Sequence, residues 1–197
     1  MKKTVVWAIC ALVLMLISTG CQPAPQQFTS YPVQGTLNPD SGIKQWSTTD
    51  YSVVLTYPHT WFASTDIAAV VQLLSPLADK TPDYREYIIV GVMQPEEGDT
   101  DIGIADRSWQ DMKEMFPSIE LTQSQSQTVA GYNMQLRVFG GHIDNSAIGP
   151  DGDYIWYQYS FIAGGLSYSI TFAGTQDMLE DYLPVFEYVL DTMVLNV

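Results

Sequence analysis

Two stretches of alternating side chains, Tyr154–Ala163 and Leu166–Ala173, flank a bare Gly164-Gly165 step. Both glycines accept positive φ, which the tight turn of a two-residue hairpin requires. The predicted hairpin carries Ile155, Tyr157, Tyr159 and Phe161 on one face of its first strand and Leu166, Tyr168, Ile170 and Phe172 on one face of its second. A ribbon that apolar on one side is not stable alone in water. It belongs to a larger antiparallel sheet with other elements packed on it.

A second stretch, Tyr51–Trp61, reads as a strand stopped at a corner. Val53, Leu55 and Tyr57 point one way and Ser52, Val54 and Thr56 the other, and Pro58 cannot continue the ladder. Trp61 follows the corner and is placed to lid the end of a core. A strand around Lys44–Ser47 pairs back on it through Thr48-Thr49-Asp50. Ala68–Leu74 and Tyr87–Met93 are apolar almost throughout, the mark of strands covered on both faces. Ile119–Val129 is polar (Gln123, Ser124, Gln125, Ser126, Gln127) and reads as an edge. Ala130-Gly131 turns it into Tyr132–Phe139, and Gly140–Gly152 is predicted to be a long loop.

Two helices are expected. In one, Asp106 is a candidate N-cap, Trp109, Met112 and Phe116 share a face, and Pro117 ends it. The other starts after Thr175 and carries Leu179, Leu183, Phe186, Leu190 and Met193 as one stripe, with a kink or restart at Pro184. Mostly antiparallel strands with two helical segments to cover them make an α+β sandwich.

Residues 1–20 read as an export signal: Lys2 and Lys3, the apolar run Val5–Ile17, then Ser18-Thr19-Gly20-Cys21. The run is shorter than the roughly 20 residues of a membrane span. Small residues ending in Gly-Cys resemble a bacterial lipobox, although Ser18 stands where leucine is usual. A lipid-attachment role for Cys21 also explains the cysteine count. Cys10 lies inside the signal, so an exported chain keeps one unpaired thiol. The alternatives are an ordinary signal cut near Gly20 and a retained membrane helix. Residues 21–41 are rich in Pro, Gln, Ser and Thr and read as a spacer, leaving 42–197 as a single domain.

The strand-Pro-x-x-Trp element, the run Thr128-Val129-Ala130-Gly131-Tyr132, the late hairpin and the final Leu183-Pro184-Val185-Phe186-Glu187-Tyr188-Val189-Leu190 occur in an order that resembles the PsbP-like family over residues 42–197. That family is named for an extrinsic subunit of photosystem II and includes many bacterial lipoproteins. The resemblance implies an α-β-α sandwich and a non-catalytic, assembly or binding role. It does not imply photosynthesis, and no family site residue maps onto this chain.

Chemistry-bearing motifs are sparse. The sequence has no G-x-S-x-G, G-x-x-x-x-G-K, G-x-G-x-x-G, H-E-x-x-H or C-x-x-C. Two histidines, His59 and His142, leave little material for zinc or thiolate–imidazole chemistry. A formal charge of −14 repels phosphate backbones, which argues against nucleic-acid binding. The candidate cation loop is Asp144, Asn145, Asp151 and Asp153, whose oxygens suit calcium. A second acidic run, Glu96, Glu97, Asp99 and Asp101, departs from an EF-hand at Gly103. Otherwise these are solvated loops and the chain has no cofactor. No two carboxylates stand out as a glycosidase pair. Tyr154, Trp156, Tyr157, Tyr159 and Tyr168 either pack or line a groove. The expectation is an exported lipoprotein, held by Cys21 at the outer face of the cell membrane or in the periplasm, that binds a partner protein or ligand without catalysis. The alternatives are a calcium or small-molecule binder and, less favoured, a hydrolase.

Overall fold

A computed structural model of the chain describes residues 30–32, 42–48, 52–65, 70–77, 84–144 and 149–196. The signal, Cys21, most of the spacer and Asn145 lie outside the described residues. Within the spacer, β1 (Ser30–Pro32) pairs with β2 (Gly42–Ser47), so a part expected to stay unpacked adds a strand. β2 pairs with β3 (Val53–Pro58) and β3 with β11 (Val194–Leu195), a sheet in the order β1-β2-β3-β11. The larger sheet runs β4 (Phe62–Ser64), β5 (Val71–Leu74), β6 (Tyr87–Met93), β10 (Leu166–Thr175), β9 (Gly152–Ala163), β8 (Tyr132–Ile143), β7 (Glu120–Val129). Every pairing is antiparallel. Helix α1 (Asp101–Met115) follows β6; a 3-10 turn (Gln176–Met178) and helix α2 (Leu179–Asp191) follow β10. Among the described residues, the α+β class, the antiparallel sheets and the two α-helices are as the sequence predicts.

Gly164 and Gly165 do take positive φ, 55° and 78°, and the hairpin pairs Phe161 with Tyr168, Tyr159 with Ile170 and Tyr157 with Phe172. That register aligns a row across five strands: Leu136, Tyr159, Ile170, Val90, Val71. All five sit in the main core, together with Leu55, Tyr57 and Trp61 and with Phe186, Val189 and Leu190 of α2. Phe172 stacks on Phe186 at 5.6 Å and Phe161 on Tyr168 at 5.1 Å. The opposite face carries a second core in which Phe139, Trp156, Ala173 and Tyr87 pack with Phe116, Trp109 and Met112. The predicted helical stripe is therefore core. The two helices pack against opposite faces of the larger sheet.

Three further expectations are corrected. The N-cap of α1 is Thr100, whose hydroxyl accepts from Gly103 N at 3.1 Å; Asp106 lies one turn inside the helix. Gly140–Gly152 is not one long loop, because β8 runs through both glycines to Ile143 and β9 begins at Gly152. These glycines mark close backbone approach: a Cβ at Gly140 would lie 2.5 Å from Tyr154 O and one at Gly141 2.9 Å from Ser118 O. Helix α2 passes Pro184 without a break. The Pro184 nitrogen cannot bond Glu180 O near the helix start, and burial of Val185, Phe186, Val189 and Leu190 compensates for that lost bond.

Candidate functional site

Beside the aromatic row on the α1-facing side of the sheet, the same alternation places polar residues in line. Arg137, Gln158, Thr171, Ile89 and Gln72 form one row, and Gln135, Ser160, Ser169 and Gly91 the next. An alternating strand normally turns such residues to water. Here Gln72, Gln135, Arg137, Gln158 and Ser160 are all buried, Ser160 completely, and α1 packs over β8 and β9. Gln158 Nε2 donates to Thr171 Oγ1 at 3.1 Å and Gln135 Nε2 to Ser126 Oγ at 2.7 Å. Arg137 donates to Asp106 at 2.7 Å and to Leu136 O at 3.2 Å. The Asp106 carboxylate is half open to solvent, so Arg137 is a buried cation paired to a partly wet anion.

Three acceptors in this belt have no hydrogen-bond partner among the described residues: Gln72 Oε1, Gln158 Oε1 and Ser160 Oγ. Buried polar atoms are paired in the large majority of cases, so three such atoms on one face of the sheet, Gln158 and Ser160 on β9 and Gln72 out on β5, require an explanation. Chemically the belt offers two amide carbonyls lacking donors, three hydroxyls (Ser160, Ser169, Thr171) and one guanidinium. It holds no nucleophile–base pair. Sequence reading missed it because polar residues at alternating positions look solvent-facing. The available signal was their recurrence at matched positions of three successive strands, Gln135/Arg137, Gln158/Ser160 and Ser169/Thr171.

The acidic residues singled out from sequence sit elsewhere. Asp151 and Asp153 hold His142 between them, with Nε2 3.0 Å from Asp151 and Nδ1 3.0 Å from Asp153. The hydrogen bond to Asp153 and the charges of both carboxylates raise the His142 pKa. Asp144 is exposed beyond the end of β8, and Asn145 lies outside the described residues. Asp99 accepts both Arg107 guanidinium nitrogens at 2.7 Å and caps the turn at Glu96 N, which lowers its pKa; Asp101 accepts from Ile162 N at 2.7 Å. No three His, Cys, Asp or Glu side chains converge as a metal site among the described residues. Tyr154 packs and donates to Pro150 O at 2.7 Å, and Tyr159 accepts from Gln127. His59 is exposed at the corner after β3 and contacts Gly42 O.

Glu86 is the one fully buried carboxylate among the described residues. Its neighbours are the hydroxyls of Ser75 (3.2 Å) and Thr175 (3.4 Å); Thr175 stands at the N-cap of the 3-10 turn but gives its hydroxyl to Glu86 and makes no capping bond. Desolvation raises its pKa, and the nearby Asp181 adds to the effect. A carboxyl whose folded pKa lies above its unfolded value adds stability below the unfolded pKa, and that stability is lost as pH rises through the folded pKa. Glu86→Gln, which cannot ionise, is expected to flatten this fall. Urea midpoints at pH 4 and pH 8 should differ less in the variant, with the gain at pH 8. An unchanged pH slope would mean that Glu86 titrates as it does in the unfolded chain.

No protein-family model matches the chain, and neither does any curated protein. Solved structures do match. The chain is similar to cyanobacterial PsbP from Synechocystis sp. PCC 6803, with TM-score 0.55 and 13% identity over 83% of this chain and 97% of that one. It is also similar to a protein of unknown function from Pseudomonas aeruginosa described as a putative regulator, with TM-score 0.54 and 12% identity over 79% of this chain and 98% of that one. Neither neighbour is described as an enzyme. The domain has a PsbP-like α+β fold, as the order of its sequence elements implied.

Proposed function

We propose that this chain is a cell-envelope lipoprotein, exported and anchored through Cys21, whose α-β-α sandwich domain binds a small polar ligand without catalysis. Support for the sandwich comes from α1 and α2 packing on opposite faces of the larger sheet. The anchor is supported by the Ser18-Thr19-Gly20-Cys21 sequence and the single remaining thiol. The observation that carries the binding reading is the set of partnerless acceptors Gln72 Oε1, Gln158 Oε1 and Ser160 Oγ. Leaving one buried acceptor unpaired costs about 1–3 kcal/mol. A molecule rich in N–H or O–H donors, such as a sugar or an amide, offsets that cost by entering the belt. The cation reading has weaker support, since Asp151 and Asp153 already engage His142.

One preparation tests both halves. Protein extracted from membranes with detergent is expected to show an acylated Cys21 by intact mass, and an unmodified terminus would remove the anchor. The same protein enters a thermal-melt screen of sugars, amides and divalent cations. A ligand present at about 100-fold over its Kd adds roughly 2.7 kcal/mol, equivalent to a rise of about 5–10 °C in a domain this size. Ser160→Ala should abolish that shift while leaving the unliganded midpoint unchanged or slightly higher, because it deletes an unpaired hydroxyl. A flat screen together with a loss above about 1 kcal/mol in Ser160→Ala would make the belt purely structural.

A further inference from the structure

Among the described residues, strand β7 lies at the end of the larger sheet and pairs with β8 alone. Natural edges are commonly blocked by Lys, Pro or shortness. This one is 10 residues long, and Leu121–Val129 contains no charge and no proline; its irregularity is a register shift between Leu121 and Gln123. From Gln123 to Ser126 every residue is exposed. The segment Thr122-Gln123-Ser124-Gln125-Ser126-Gln127-Thr128 reads identically in both directions about Gln125.

The turn beyond it sets which backbone groups face outward. Ala130 and Gly131 both take positive φ, 50° and 84°, so the β7–β8 hairpin closes through a two-residue loop with Val129 opposite Tyr132. In such a loop the closing pair exchanges both hydrogen bonds, and the pattern then alternates along the ladder. Gln127, Gln125 and Gln123 therefore bond β8, while Thr128, Ser126 and Ser124 present N–H and C=O to the open side.

We propose that this edge is the contact between two copies of the chain, which pair β7 to β7 in antiparallel fashion about a two-fold axis through Gln125. In that register Ser124 faces Ser126 of the second copy, and each exchanges N–H···O=C with the other. Those are the residues whose backbone groups point outward. A two-fold contact requires a surface complementary to itself, and a palindromic strand supplies one. Gln125 meets Gln125 and Gln123 meets Gln127, and each amide carries both donor and acceptor. Charge favours a second copy at this place as well. The chain as a whole carries −14, yet the paired stretch is neutral, so two acidic molecules meet here without opposing like charges. A short edge contact of this kind falls below the size of a stable interface, and the dimer is in rapid exchange.

Disulfide trapping tests the register in the full chain, held in detergent and carrying Cys10→Ser and Cys21→Ser so that one introduced thiol is present. On the axis, Gln125→Cys puts two Cβ atoms about 5 Å apart, close enough to bridge with a small adjustment. In Gln123→Cys the two thiols lie four residues apart along the strands, roughly 13 Å, out of reach. Under mild oxidation Gln125→Cys is expected to crosslink at least tenfold faster than Gln123→Cys. Gln125→Glu, which opposes like charges on the axis, should weaken self-association at least tenfold in sedimentation. Both sites are exposed, so thermal midpoints of the monomers should stay together. Equal crosslinking at the two positions, or none at either, overturns the proposal.

Discussion

Trp61→Ala is expected to lower the unfolding free energy by about 3–5 kcal/mol, read as a drop in the urea midpoint at unchanged slope. Trp61 is 2% exposed, and its ring meets Tyr182 of α2 edge-on at 5.6 Å. Its backbone closes the corner after β3, with Trp61 N bonding Pro58 O at 3.0 Å and Trp61 O accepting from Lys44. One side chain therefore lies where the smaller sheet, the start of β4 and α2 meet, and truncation leaves a cavity that three separately anchored elements cannot collapse to fill. Trp61→Phe keeps an aromatic body and should recover more than half of the loss. A cost below about 1 kcal/mol in Trp61→Ala would show that this corner tolerates a void and that α2 is held elsewhere.

Gly140→Ala should cost about 3 kcal/mol, for the opposite reason. No cavity forms; a single added methyl has nowhere to go. Its carbon would stand 2.5 Å from Tyr154 O and 3.3 Å from Ile155 Cα, both backbone atoms of β9, so the ladder itself must shift. A loss of that size lowers the thermal midpoint by roughly 6–12 °C in a domain of this length. Gly152→Ala is the matched control, since nothing lies within 4 Å of the added carbon. It should change stability by less than about 0.5 kcal/mol. Equal effects at the two positions would mean that β8 and β9 separate easily at this end of the sheet.

Both predictions rest on residues visible in the sequence but legible there to different degrees. The Pro58-to-Trp61 corner could be read directly, because a proline that cannot continue a ladder and a large aromatic beyond it admit few arrangements. The same holds for the Gly164-Gly165 hairpin and for the polar edge Glu120–Val129, where period-two alternation and turn chemistry act over a few residues. Gly140-Gly141 could not be read this way. A glycine pair marks a turn or a close approach, and only the position of β9 and of Ser118 decides between them.

The candidate site shows the same division more sharply. Alternation in β8, β9 and β10 assigned each side chain to one of two faces, and those assignments stand. Which face meets water is not a property of a strand. It depends on where α1 lies, and α1 lies over the polar residues, burying Arg137, Gln158 and Ser160. Glu86 is hidden for a similar reason: Ser75, 11 residues away, and Thr175, 89 residues away, converge on it only in the folded chain. His142 finds Asp151 and Asp153 because β8 and β9 are antiparallel, which pairs His142 with Asp153 across the ladder. Local backbone preference and side-chain periodicity, which act over neighbouring residues, determined the strands, their faces and their turns. Burial, and with it the energy of every unpaired polar group, depends on contacts between segments far apart in the chain, and only the tertiary structure decided it.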